Sequence, residues 1–247
     1  MSFLTGTLLA WLGHATFVIT TVAGVNLLID PMSPMVGYPL KDHSVRADVI
    51  FVSHNHPDHN YTDLAISAEN VVKPKAEPGY QEGEFGYTQN GKPGKIKFRR
   101  IFAYHDGVEG KERGPDTITV INADGIRFCH LGDFGQPALT KKQLELIGGP
   151  VDVLMIPVGG FYTIDGKQAA VITEQLHPKV IYPMHYLTKF DNPDLQTKLH
   201  PVSEYLTAMQ GKATVVTGDA ERYALAKDRL PAKPTIVLLS LPEVRKP

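Results

Sequence analysis

Residues 52–60 read VSHNHPDHN. Three histidines and an aspartate fall between His54 and His59, directly after the apolar run ADVIF at residues 47–51. A short apolar run of this kind reads as a strand buried on both faces. In extended chain, residues two apart point the same way, so His54, His56 and Asp58 project into one site. His59 points elsewhere unless the chain turns there. Clustered imidazoles and carboxylates suit zinc, and also iron or manganese. With 10 histidines in 247 residues, such crowding is improbable by chance. One loop could serve two adjacent metals, His54 and His56 reaching one, Asp58 and His59 the other.

Two metals need more ligands than this loop supplies. Three further candidates each end an apolar run: His105 after RRIFAY, Asp133 after IRFCHLG, and His185 after VIYPM. Strand ends are where side chains from distant segments converge on a cleft.

The rest of the chain supports that picture. TLLAWLG, ATFVITT and VNLLID read as strands, with a turn at Ala23-Gly24. YTDLAISAEN reads as a short helix with Thr62 as its N-cap. NGKPG carries turn chemistry before the strand KIKFRRIFAY, and DTITVINADGIRFCHLGD reads as a hairpin about Asp124-Gly125. Helical spacing follows in LTKKQLELIGG, with Thr140 as N-cap and Gly148 as stop. VDVLMIPVGG and KVIYPMHY read as strands, while TIDGKQAAVITEQLHP and PVSEYLTAMQG contain helices. ATVVTG and TIVLLS read as closing strands. A β-rich first half and a mixed second half predict an α/β (α+β) fold of two packed sheets with helices outside. No linker divides the chain, which predicts a single domain over residues 1–247.

Four residues stand near the candidate site. His14 follows a strand and either contacts substrate or is structural. Asp30 ends VNLLID, as an outer partner for a metal-bound imidazole or as a turn cap before Pro31. His130 shares a strand face with Ile126 and Phe128, which favours a packed, hydrogen-bonded histidine. Tyr162, after Gly159-Gly160, either lines the pocket as an oxyanion donor or belongs to a loop needing flexible backbone. His43, His177 and His200 show no ligand pattern, and the only cysteine, Cys129, reads as core.

The string HNHPDH (54–59) fits the His-x-His-x-Asp-His signature of the metallo-β-lactamase superfamily. The order that follows also fits: His105, then Gly132-Asp133, then His185. WLGHATFVI, LLIDP, HLGD, PVGGFYTID and YPMHY resemble the branch of metal-dependent hydrolases that includes L-ascorbate-6-phosphate lactonase-like and N-acylphosphatidylethanolamine phospholipase D-like proteins. The resemblance spans nearly the whole chain. It implies a four-layered αββα sandwich with two divalent metal ions, zinc with manganese or iron as alternatives, at one edge of the sheets. His54, His56 and His105 would bind one ion; Asp58, His59 and His185 the second; Asp133 would bridge them. A pair about 3.5–4 Å apart can hold a bridging hydroxide and stabilise the oxyanion formed on attack. Asp58 could also orient that hydroxide, which makes it the catalytic candidate. The implied reaction is hydrolysis of an ester, lactone or phosphodiester. The net positive charge left by neutral imidazoles suits an anionic small-molecule substrate. Two other readings are a di-iron redox enzyme and a non-catalytic metal-binding sensor. Asn55 and the missing flavodoxin-like segment weigh against the first, and the complete ligand set against the second.

Composition narrows the partners. Hydrophobic residues make up 43% of the chain, enough for a large core, and 25 basic residues balance 26 acidic ones. A balanced charge gives no electrostatic case for nucleic acid. KPGKIKFRR (92–100) is a local basic stretch that reads as a solvated strand and turn. No run of about 18 apolar residues predicts a membrane-spanning helix. The N-terminus lacks a basic n-region, and one cysteine permits no intrachain disulfide. The expected protein is soluble and cytoplasmic, and a homo-oligomer is compatible with it.

Overall fold

The computed structural model describes residues 6–67, 69–89, 92–218, 222–239 and 241. The chain opens with β1 (Thr7–Gly13), β2 (Thr16–Thr20), β3 (Asn26–Ile29), β4 (Val49–Phe51) and β5 (Val71–Val72). Four antiparallel partners follow: β6 (Tyr80–Gln89), β7 (Lys92–Tyr104), β8 (Pro115–Ala123) and β9 (Ile126–His130). Helices then alternate with strands: α1 (Lys141–Ile147), β10 (Val153–Pro157), α2 (Gly166–Leu176) and β11 (Val180–Met184). The remainder is α3 (Pro193–Lys198), α4 (Ser203–Ala208), β12 (Thr214–Gly218), β13 (Arg222–Leu225) and β14 (Thr235–Leu239).

The strands form two sheets, one ordered β13-β1-β2-β3-β4-β5 and the other β12-β14-β11-β10-β9-β8-β7-β6. Leu9, Phe17, Leu27, Ile29 and Phe51 from the first meet Phe98, Phe128, Met155, Tyr182 and Val237 from the second in an apolar layer. A second apolar layer joins the outer face of the larger sheet to the helices, through Val120, Cys129, Leu154, Ile172 and Tyr205. This is the mixed α/β sandwich expected from the sequence.

Several local expectations hold for local reasons. Asp124 and Gly125 turn the β8–β9 hairpin with φ of 51° and 76°, the positive values that an Asp-Gly pair tolerates. Thr140 caps α1 through a reciprocal bond pair with Gln143, and Gly148 ends it. Asp165 and Gln168 do the same for α2.

Two expectations fail. The helix predicted from Thr62 is a single 3-10 turn, Thr62–Leu64, with Tyr61 rather than Thr62 at its N-cap. Ala65 is pulled into extended backbone by a bridge to Val45, so tertiary pairing overrides the helical preference. The basic strand is solvated at Lys95 and Lys97, yet Arg100 in it is fully buried. Its guanidinium donates to Thr119 Oγ1 and to the carbonyl of Val52. Of the expected NGKPG turn, Asn90-Gly91 lies outside the described residues, as does Ser240 of the closing strand, while Lys92, Pro93 and Gly94 belong to β7 and pair with β6.

Strand direction positions the site. β1, β3 and β4 run one way in the first sheet. β7, β9, β10 and β11 run one way in the second. Apart from His130, which is the last residue of β9, every candidate residue follows the C-terminal end of one of these strands: His14, Asp30, the 54–59 loop, His105, Asp133, Tyr162 and His185. The backbone N–H of His185 donates to His14 O at 3.0 Å, which ties the two sheets together at that edge.

Candidate metal centre

The 54–59 segment does turn. His59 N and Asn60 N both donate to His56 O, at 3.0 and 3.1 Å. Pro57 is the second residue of that turn, where its fixed φ is favourable. The turn sends His59 back to the site instead of away from it, while Asn55 is exposed.

Three groups of candidate ligand atoms result, each within 4.8 Å of one another: His54, His56 and His105; His54, His59 and Asp133; and His14, Asp58, His59 and His185. Asp133 Oδ2 lies at the middle. It is 3.1 Å from Nε2 of His59, 3.3 Å from those of His105 and His185, and 3.9 Å from that of His54. His54 Nε2 and His56 Nδ1 are 3.0 Å apart. Among the described residues, His59 Nε2 and Asp133 Oδ1 are buried without a hydrogen-bond partner, as are Nδ1 of His105 and of His185.

Outer carboxylates aim these rings. Asp30 accepts from Ser53 N at 2.7 Å and Ser53 Oγ at 2.6 Å, and His59 Nδ1 lies 2.9 Å from its Oδ2. Asp30 therefore contacts the ring of a candidate ligand and does more than cap a turn. His54 Nδ1 lies 2.9 Å from Ser53 Oγ and 3.5 Å from Asp116 Oδ1, which also accepts from Asp133 N at 3.3 Å. Ser53, Asp116 and buried Arg100 were missed by sequence reasoning. An acidic residue opening a strand that is otherwise apolar, PDTITV, was the available signal for Asp116.

The other neighbours separate clearly. His14 is buried, with Nε2 3.1 Å from Asp58 Oδ2 and its ring 4.0 Å from that of His185. His130 has both nitrogens engaged, Nδ1 accepting from Gly132 N at 3.1 Å and Nε2 lying 3.0 Å from Ala15 O. That leaves it no lone pair for a metal. Tyr162 lines a cleft of about 540 Å³ together with His56, Asp58, His105, Asp133 and His185. Gly159 is the close approach of its loop: a Cβ there would lie 1.9 Å from His185 O.

Burial and neighbouring charge oppose each other at these groups. Burial alone would raise Asp133, but His185 and His59 beside it hold it well below the usual carboxylate range. Burial likewise opposes a charged His59, yet Asp133 and Asp58 raise it well above an ordinary imidazole. Asp58 is lowered despite burial, chiefly by His59. Burial and then His185 bring His14 down to about 4. Imidazole nitrogens aimed at a buried carboxylate require protons or metal cations between them, and the rings of His54 and His59 are also tethered through their outer nitrogens.

A family model described as the β-lactamase superfamily domain matches residues 8–185. The chain belongs to the metallo-β-lactamase superfamily and is one of its metal-dependent hydrolases. It is 32% identical over 196 residues to a UPF0173 metal-dependent hydrolase of Thermococcus onnurineus, covering 72% of this chain and 84% of that one. A crystal structure from Thermotoga maritima, described as a candidate Zn-dependent hydrolase of the superfamily, is 31% identical with a TM-score of 0.65. That match covers 95% of this chain and 100% of the other. Igni18, a metallo hydrolase of Ignicoccus hospitalis, is similar in fold alone, with 21% identity and a TM-score of 0.55 over 83% of this chain and 91% of that one. Among the described residues, no helix is long and apolar enough to cross a membrane.

Proposed function

We propose that the chain binds two divalent metal ions at this edge and hydrolyses an ester, lactone or phosphodiester bond of a small molecule. His54, His56 and His105 would hold one ion, and Asp58, His59 and His185 the other, with Asp133 between them. The observation that carries the reading is the convergence of four imidazole Nε2 atoms on Asp133 Oδ2, at 3.1 to 3.9 Å. A donor set dominated by imidazole suits zinc, with manganese and iron as alternatives. Bound there, the ions would supply Lewis-acid stabilisation of developing negative charge and activation of water near neutral pH.

The chain's own residues do the rest. Asp58 stands on the cleft wall, with His14 Nε2 against its Oδ2, and can orient the attacking water and take its proton. Asp30 and Asp116 hold the rings of His59 and His54 in register. Tyr162 lines the same cleft with its hydroxyl donating to Asp194 Oδ2 at 3.4 Å, and on turning from that exposed carboxylate it would offer a donor to an oxyanion. The test is elemental analysis joined to a substrate panel, on protein reconstituted with zinc, manganese and iron in turn. About two metals per chain, with turnover of at least one ester, lactone or phosphodiester, is expected. Metal content near zero after metal-supplemented expression overturns the reading.

A further inference from the structure

A second cavity, of about 150 Å³, lies against His54 and His56. Its remaining walls include Pro74, Lys75, Arg113 and Pro115, and no carboxylate lines it. Arg113 and His56 also line the main cleft, so the two spaces share a wall. Building on the hydrolytic reading of the metal centre, we propose that this side cavity is an anion subsite. It would hold a carboxylate or phosphate group of the substrate beside the bond being cut.

Both cations stand on backbone that is already fixed. Asp106, next to His105, accepts from the backbone N–H groups of Val108, Gly110, Glu112 and Arg113 at 2.9, 2.7, 3.0 and 2.8 Å. One buried carboxylate therefore shapes the whole loop that carries Arg113. His105 N donates to Gly114 O at 3.1 Å, so the same loop sets the distance from Arg113 to the metal centre. Across the cavity, Lys75 N donates to Thr117 Oγ1 of β8 at 2.9 Å. A ligand entering here orders side-chain tips only, which lowers the entropic cost of binding.

The side chains suit an anion. Arg113 lies over the Tyr162 ring, 5.9 Å from its centroid, which steadies the guanidinium at the boundary of the two spaces. Its planar fork matches carboxylate and phosphate oxygens. Among the described residues, its one ion pair, to Glu112 at 3.3 Å, involves a carboxylate that is 63% exposed. A pair so exposed is screened by water and leaves the guanidinium available to a better-desolvated partner. None of the ion pairs among the described residues uses Lys75. The cavity is large enough for a headgroup of a few heavy atoms, since a water occupies about 30 Å³ of the liquid. The substrate class is then an ester, lactone or phosphodiester with a second, non-reacting anionic group.

The test uses the metal-loaded full chain and two probes. Inorganic phosphate is titrated calorimetrically into wild type, Lys75→Ala, Arg113→Ala and Arg113→Lys. Steady-state kinetics then compare an ester carrying a free carboxylate, mono-p-nitrophenyl glutarate, with neutral p-nitrophenyl butyrate. Each alanine variant should weaken phosphate binding at least about tenfold, the loss expected for a charge-assisted contact. KM for the charged ester should rise with kcat little changed, the neutral ester should be unaffected, and Arg113→Lys should restore part of the loss. Phosphate affinity unchanged within about twofold in both alanine variants overturns the proposal. So does a parallel loss on the charged and neutral esters. Should wild type cleave neither ester, the hydrolytic reading fails on these substrates, and the phosphate titration decides the subsite by itself.

Discussion

Replacing Asp30 by Asn changes one atom's chemistry at the buried root of the centre. Asp30 has φ 46°, a left-handed conformation that Asn adopts as readily as Asp, so the backbone is not a confounding cost. The Asn oxygen can still accept from Ser53 N, now 2.7 Å from Asp30 Oδ1. The amide NH₂ then takes the place of Oδ2, which today faces Ser53 Oγ at 2.6 Å and His59 Nδ1 at 2.9 Å. The serine hydroxyl can rotate to accept. The His59 Nδ1–H cannot, and two donors face each other. The imidazole relieves this by moving its proton to Nε2, the atom 3.1 Å from Asp133 Oδ2. A ligand lone pair becomes a donor. Loss of an outer partner of this type costs about 10- to 100-fold in metal affinity, or roughly 1.4–2.7 kcal/mol. On the proposed ligand set, Asp30→Asn should retain the ion held by His54, His56 and His105 and lose most of the other. Competitive chelator titration followed by elemental analysis measures this, with Ser53→Ala, which keeps the Asp30–His59 contact, as the milder control. Two metals per chain in Asp30→Asn, bound within about twofold of wild-type affinity, would refute the reasoning.

Two further outcomes follow from the loops around the site. Gly159→Ala puts a Cβ 1.9 Å from the carbonyl oxygen of His185 and 2.9 Å from its carbon, a backbone collision that no rotamer relieves. It should cost about 3 kcal/mol in denaturant unfolding, against little for Gly86→Ala, whose Cβ would meet nothing within 4 Å; equal midpoints would contradict the close-approach argument. Asp106 is opposed by burial, yet its backbone donors hold its carboxyl below the usual 3.8. A depressed folded pKa stabilises above the unfolded value and is lost as pH falls through the folded one. The stability gap between wild type and Asp106→Asn should thus be full at pH 7 and narrow on acidification below about pH 5; a gap that is constant or widens as pH falls would count against the loop's dependence on that carboxylate.

What could be read in the sequence was local. Alternation and apolar runs marked most strands because side-chain direction in a strand depends only on sequence spacing. The Asp124-Gly125 hairpin and the caps at Thr140 and Gly148 were legible for the same reason, since each is decided within a few residues. The spacing of His54, His56, Asp58 and His59 pointed to ligand chemistry because four donor side chains sat within one turn of chain. The tertiary structure decided everything that depends on distant segments meeting. Thr62 lost its helix to a bridge between Val45 and Ala65. Arg100, in a strand that reads as solvated, is buried where Val52, just past β4, and Thr119 of β8 come to it from distant segments. Asp30 lies 29 residues from His59, Asp116 lies far along the chain from His54, and His14 lies 44 from Asp58. No local pattern encodes such pairings. They follow from strands that run in common directions through two packed sheets and release their last residues at one edge.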